Sequence, residues 1–95
     1  MKFKILGKWW RRKLVGSKLN ADSGECDIDN CLITQAKSEC EQQRRDTLLH
    51  EIIHAISDSL GLKLKEKQVH ALACALLQVL RDNPELVEYL LKEDE

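Results

Sequence analysis

The chain has 95 residues, 33% of them charged in nearly equal numbers of both signs, and a formal net charge of -1. This length allows one domain with a modest core, and the balanced charge gives no indication of a polyanion-binding protein. No apolar run approaches the roughly eighteen residues of a membrane span, and no export signal precedes the charged segment Lys8 to Lys13. We therefore expect a cytoplasmic protein whose four cysteines are reduced.

The first third of the sequence predicts β-structure. Residues 3–5 and 9–15 alternate between two faces, and Gly7 and Gly16 predict turns. Asn20 to Glu25 is a predicted turn, and Cys31 to Thr34 is a short apolar run that fits a further strand. We expect a short antiparallel meander.

The segment Lys8 to Lys13 places two tryptophans among four cations, a composition that suggests nucleic-acid contact. A strand of a twisted sheet explains the same residues more simply. Adjacent tryptophans point to opposite faces of a strand, so at least one should pack against the helices. Nucleic acid is therefore not the partner that the sequence favours.

From about Lys37 the pattern becomes helical, with an apolar stripe between Leu48 and Leu60 that Gly61 ends at a C-cap position. A second helix is predicted from about Lys65 to Arg81, and Asn83-Pro84 ends it. Its predicted buried face comprises Val69, Leu72, Ala73, Leu76, Leu77 and Leu80. A short third helix, residues 85–91, should dock on the body through Leu86, Val87, Leu90 and Leu91. The predicted fold is thus α+β, with residues 1–95 forming one domain.

The first of these helices carries His50 and His54 four residues apart, with Glu51 between them. One helical turn, about 6 Å in rise, separates the two imidazoles, so both can bind one zinc ion. Glu51 lies too far round the helix to be a natural third ligand, but its carboxylate can lean over the metal toward a bound water. This is the position of a general base, and the motif predicts a zinc metallohydrolase.

A catalytic zinc ion takes three protein ligands and a water, so one more donor is required. Glu66 and His70 are four apart on the second helix, and either could supply it. Asp58, one turn beyond His54, is a candidate to orient a ligand imidazole.

Two segments resemble a known family. The helix from His50 to Asp58 is similar to the zinc helix of thermolysin-like peptidases, and Glu66 to Ala73 resembles the second-helix signature of small gluzincin peptidases, including those encoded by phages and mobile elements. The resemblance implies a minimal zincin-like domain that binds zinc through His50, His54 and Glu66, with His70 at a place where the family usually has a different polar residue. It implies a peptide or protein substrate and, for a phage-encoded chain, the host cytoplasm.

The same resemblance implies an edge strand above the zinc that pairs with substrate backbone, and Cys31 to Thr34 is its best candidate. Peptide-bond hydrolysis by zinc-activated water, with Glu51 as the base, would follow. The competing hypothesis is a non-catalytic interaction protein that keeps zinc to stabilise a small core and contacts nucleic acid through Lys8 to Lys13. In either case so small a domain has an open cleft, which a second copy or a partner chain could complete.

Overall fold

The computed structural model describes residues 1–16, 24–37 and 39–94. Four strands precede three helices in chain order: β1 (Lys2–Ile5), β2 (Lys8–Val15), β3 (Gly24–Asp27), β4 (Leu32–Ala36), α1 (Glu41–Leu60), α2 (Glu66–Asp82) and α3 (Pro84–Leu91). The predicted α+β class is confirmed. None of the helices in these ranges combines the length and the apolar character needed to cross a membrane.

The strands form one mixed sheet in the order β1-β2-β4-β3. The pairs β1–β2 and β3–β4 are antiparallel, but β2 and β4 run parallel, with Arg12 opposite Ile33. The prediction of a purely antiparallel meander is therefore wrong for the central pair. Alternation along a strand shows which side chains share a face, but it does not determine the direction of the neighbouring strand.

The turn at Leu6-Gly7 is confirmed as a tight hairpin between β1 and β2. Both residues have positive φ, 49° and 82°, as a type I′ turn requires, and glycine takes the larger value. The predicted turn from Asn20 to Glu25 falls largely outside the described residues. Its last two residues, Gly24 and Glu25, begin β3.

The main core lies between the sheet and α1. Trp10 is 2% exposed and Ile33 and Ala55 are fully buried, with Phe3 and Ile52 packed against this cluster. Adjacent tryptophans on opposite faces are confirmed, since Trp9 is 61% exposed. The inner face of the sheet therefore anchors the helix that carries both histidines.

A buried glutamine joins the sheet to the start of α1. Gln35 is fully buried on β4, where its side-chain amide donates to the backbone oxygen of Arg44 at 2.7 Å and its amide oxygen accepts from Arg12 Nε at 2.6 Å. The helix begins at Glu41 and not near Lys37 as predicted, because the Lys37 amide donates to Val15 and prolongs the β2–β4 ladder. It ends at Leu60, with Gly61 as the predicted left-handed cap at φ 67°.

The helix α2 packs on α1 through a narrow stripe. Val69 is fully buried and Ala73 is 4% exposed, both against Ile53. The buried Ser57 hydroxyl accepts the Leu64 amide at 3.0 Å and fixes the connection between the two helices. Because α1 is the only described element of the body that α2 touches, only this stripe is covered.

The predicted buried faces of α2 and α3 are largely wrong. Leu72, Leu76 and Leu80 are 40–44% exposed. Among the described elements α3 contacts only α2, and none of its residues is buried. Docking of α3 on the body, expected through leucines such as Leu90 and Leu91, is not observed.

Candidate metal centre

Three predicted ligands converge where α1 meets α2. His50 Nε2 lies 2.6 Å from one carboxylate oxygen of Glu66, and His54 Nε2 lies 2.8 Å from the other. The donor atoms of the three residues all lie within 4.8 Å of one another, close enough to bind one metal ion. The spacing of four residues places both imidazoles on one face of α1, and the short connection after Gly61 brings Glu66, the first residue of α2, opposite them.

The alternative third ligand lies beside this group. His70 faces the same cleft one turn further along α2, with its ring centroid 6.1 Å from that of His50. Its Nε2 is 3.7 Å from the thiol of Cys74. Of the two candidates, the structure therefore groups Glu66, and not His70, with the two histidines.

The three candidate ligands differ in their exposure to solvent. The side chains of His50 and His54 are 17% and 24% exposed, whereas that of Glu66 is 71% exposed. Partial burial raises the pKa of Glu66, but the hydrogen bond with His54 and the charge of His50 outweigh it, so the pKa lies below its ordinary value. The Glu66 carboxylate is thus kept ionised, as a metal ligand must be.

The donor set fits a divalent metal. Imidazole nitrogens and a carboxylate are ligands that zinc accepts, and other first-row metals accept them as well. Donors around a tetrahedral zinc ion lie roughly 3.3 Å apart, given metal–ligand distances of about 2.0–2.1 Å. The two histidine–glutamate distances of 2.6 and 2.8 Å are shorter than this, and the exposed Glu66 side chain has room to move outward and lengthen them. Metal binding is therefore compatible with these residues.

Glu51 lies against the same site. It is 8% exposed and lines, with the three candidate ligands, an open cleft of about 690 Å³. The start of β3 crosses α1 at this point, and a Cβ on Gly24 would lie 2.8 Å from Thr47 Cγ2 and 3.4 Å from Glu51 Cγ. The lack of a side chain at Gly24 therefore allows β3 to lie directly against Thr47 and Glu51.

Asp58 also lines the cleft, one turn beyond His54. Within the described ranges no hydrogen bond joins its carboxylate to either histidine. Its role in orienting a ligand imidazole stays a prediction.

The cleft contains residues that the sequence did not indicate. Thr47 on α1, Cys26 on β3 and Cys74 on α2 all line it. Burial, reinforced by the charges of Glu51 and Asp58, raises the pKa of Cys26 to about 12, so this thiol stays protonated at neutral pH. The four-residue spacing from His70 could have indicated Cys74, but the position of Cys26 depends on the strand order.

The edge strand of the cleft is not the one expected. The sequence predicts Cys31 to Thr34 as the edge, but β4 lies between β2 and β3 in the interior of the sheet. β3 forms the edge, and its residues Gly24, Glu25 and Cys26 line the cleft. Either strand of the β3–β4 hairpin could have paired with β2, and the other would then form the edge of the sheet. The amino-acid composition of the two strands does not reveal which of them pairs with β2.

Comparison with protein-family models, with curated proteins and with solved structures finds no match for this chain. The resemblance to gluzincin peptidases therefore depends on the residues of α1 and α2 alone.

Proposed function

We propose that the protein is a zinc-dependent peptidase with a zincin-like fold, in which His50, His54 and Glu66 hold the metal and Glu51 is the general base. One observation supports this most strongly. Two helices bring two imidazoles and a carboxylate together, with a further carboxylate in the same open cleft. Two histidines and a glutamate are a donor set of catalytic zinc sites, which keep a fourth position open.

The residues of the cleft account for each step of hydrolysis. When bound, the metal supplies Lewis acidity toward water and toward a substrate carbonyl. Glu51 accepts the proton of the attacking water and then delivers it to the leaving amine, which suits peptide bonds. The partly buried His50 and His54 keep their positions because α1 packs directly on the sheet.

The sheet edge supplies a place for the substrate backbone. β3 pairs with β4 on one side only, and among the described strands nothing pairs with its other side. An extended peptide can add to such an edge through main-chain hydrogen bonds. The peptide would then pair with Gly24 to Cys26 and lie beside Glu51 and the metal ligands.

The second candidate function is a non-catalytic, metal-stabilised interaction protein. The weak attachment of α2 and α3 favours it, because Val69 and Ala73 are the only buried residues in the described part of these two helices. A metal ion held between α1 and α2 would add to this attachment. Both functions use the same ligands, but only the peptidase needs Glu51 as a base.

Replacing Glu51 by Gln distinguishes them. We expect the Glu51→Gln variant to bind one zinc ion per chain and to melt near the wild-type temperature, while hydrolysis of an unfolded protein substrate falls by about a hundredfold or more. The matched control is Glu88→Gln, which changes an exposed carboxylate on α3 and should keep activity within a few-fold. Hydrolysis that survives in Glu51→Gln would rule out the mechanism. Zinc-loaded wild type that is stabilised but inert would establish the second candidate.

A further inference from the structure

A cationic surface lies on the side of the sheet that α1 does not cover. Lys2 pairs with Arg11 and Lys4 pairs with Trp9 across the antiparallel strands β1 and β2, and cross-strand partners share a face. Lys13 follows Arg11 by two residues and extends the same face. All five side chains are exposed, whereas their neighbours Phe3 and Trp10 turn toward α1. We call these five residues, Lys2, Lys4, Trp9, Arg11 and Lys13, the basic sheet face.

An aromatic ring lies in the middle of this face. Trp9 is 61% exposed, and the ammonium group of Lys4 lies 5.0 Å from its ring centroid. A shallow cleft of about 380 Å³ opens beside it and is lined by Lys2, Trp9, Trp10, Arg11, Asn30 and Cys31. The cleft therefore combines cations, a large aromatic surface and hydrogen-bonding groups, and none of the described residues that line it carries a carboxylate.

The charge of this face is separated from the rest of the chain. Residues 1–16 include six lysines and arginines and no acidic residue, although the whole chain has a net charge of -1. In the sheet order the nearest acidic side chains, Glu25 and Asp27, belong to β3, and β4 lies between them and β2. The Asp27 carboxylate approaches the rim of the cleft, where it accepts hydrogen bonds from Asn30. Among the described residues no ion pair involves Lys2, Lys4, Arg11 or Lys13. These cations are available to an external anion.

We propose that the basic sheet face binds single-stranded nucleic acid. The four cations would neutralise backbone phosphates, and Trp9 would stack on an unpaired base. The surface is separate from the metal centre, because the candidate ligands extend from α1 and α2 on the opposite side of the sheet. The inference does not depend on peptidase activity.

Charge and shape together favour this ligand over other polyanions. A flat sheet with a central exposed aromatic ring is suited to bases that are already unstacked, which double-stranded forms do not offer. An anionic bilayer would require more apolar surface to insert, but Trp9 is the only large apolar side chain among the five residues of the face. Duplex nucleic acid and anionic lipid are therefore the comparisons that the experiment must include.

The test measures binding of the full-length protein to a labelled oligothymidylate of about twenty nucleotides by fluorescence anisotropy. We expect affinity to fall roughly fiftyfold between 50 and 200 mM salt, as four phosphate contacts predict for a single strand. The triple variant Lys2→Gln, Lys4→Gln, Arg11→Gln should lose most of this binding. Trp9→Ala should weaken binding by about tenfold, and Trp9→Phe should restore much of it.

The matched control is the triple variant Lys63→Gln, Lys67→Gln, Lys92→Gln, which lowers the net charge equally on exposed residues elsewhere. It should bind the oligonucleotide as the wild type does. Equal loss in both triple variants would mean non-specific charge attraction and would overturn the proposal. So would the absence of binding at 50 mM salt, or tighter binding to duplex DNA or to phosphatidylserine vesicles than to the single strand.

Discussion

The two halves of the molecule use their apolar residues differently. In the sheet and α1, alternating side chains form a core in which Trp10, Ile33 and Ala55 are nearly or fully buried. In α2 and α3 an equally apolar sequence buries only Val69 and Ala73. Burial depends on what packs against a helix: α1 lies between the sheet and α2, whereas α2 packs on α1 and otherwise contacts only the short helix α3.

The candidate metal centre lies at the boundary between these halves. His50 and His54 belong to the well-packed half, and Glu66 is the first residue of the loosely attached one. A metal bound by all three would therefore connect a rigid surface to a weakly held helix. A metal bound there would therefore stabilise the attachment of α2, in addition to any catalytic role.

The largest expected effect is in the well-packed half. We expect Trp10→Ala to lower the free energy of unfolding by about 3–5 kcal/mol, because a 2% exposed tryptophan leaves a large cavity. The matched substitution Trp9→Ala removes the same side chain from the solvent-exposed face and should cost within about 0.5 kcal/mol. Urea unfolding followed by circular dichroism measures both. Similar losses for the two tryptophans would contradict the assignment of inner and outer sheet faces.

The inner and outer faces of the sheet could be predicted from the sequence, because side chains that alternate along β1 and β2 point to opposite faces. The same is true of the helices and of Gly61, since caps and periodicity are local properties. The sequence did not predict three other features: the direction of β4, the edge position of β3 and the exposure of α3. Each depends on which elements become neighbours, and an apolar stripe such as that of Leu72, Leu76 and Leu80 is the same sequence whether or not anything covers it.

The candidate site, too, could be predicted only in part from the sequence. The spacing of His50 and His54 predicts their common face, and four-residue spacing on α2 limits the third donor to Glu66 or His70. The distance between α1 and α2 is needed to choose between them. Gly24 and Cys26 could not be assigned to the cleft at all, because only the strand order brings β3 to it.

An effect of intermediate size is expected on the stability of α2, where the two halves of the molecule meet. In the metal-free protein, amide hydrogen exchange should be faster in α2 than in β2, because little burial opposes the opening of α2. Zinc at about a hundredfold excess over its dissociation constant should raise the free energy of opening of α2 by about 2.7 kcal/mol. Glu66→Gln should abolish most of this gain, while Glu88→Gln, an exposed change on α3, should retain it. Amides of α2 that are as protected as those of β2 without metal would show that the two halves do not differ.

The smallest effect is expected at the exposed turn between β3 and β4. Asn30 donates to both carboxylate oxygens of Asp27, from its side chain at 2.8 Å and from its backbone at 3.2 Å, and these bonds hold the pKa of Asp27 below its ordinary value. Since the folded state binds the proton less tightly than the unfolded state, ionised Asp27 stabilises the fold at neutral pH. This contribution is lost as the pH falls through the lowered pKa of the folded state.

The wild type should therefore be slightly more stable than Asp27→Ala at neutral pH, and the difference should shrink in acid. Urea unfolding over a pH series measures that difference, with Asp29→Ala in the same turn as the matched control. Because the turn belongs to the well-packed half, the exchange rates of α2 should be the same in Asp27→Ala and in the wild type. A change in α2 would mean that the turn at the edge strand and the helix that carries Glu66 are coupled across the cleft, and that the boundary between the halves transmits strain even without metal.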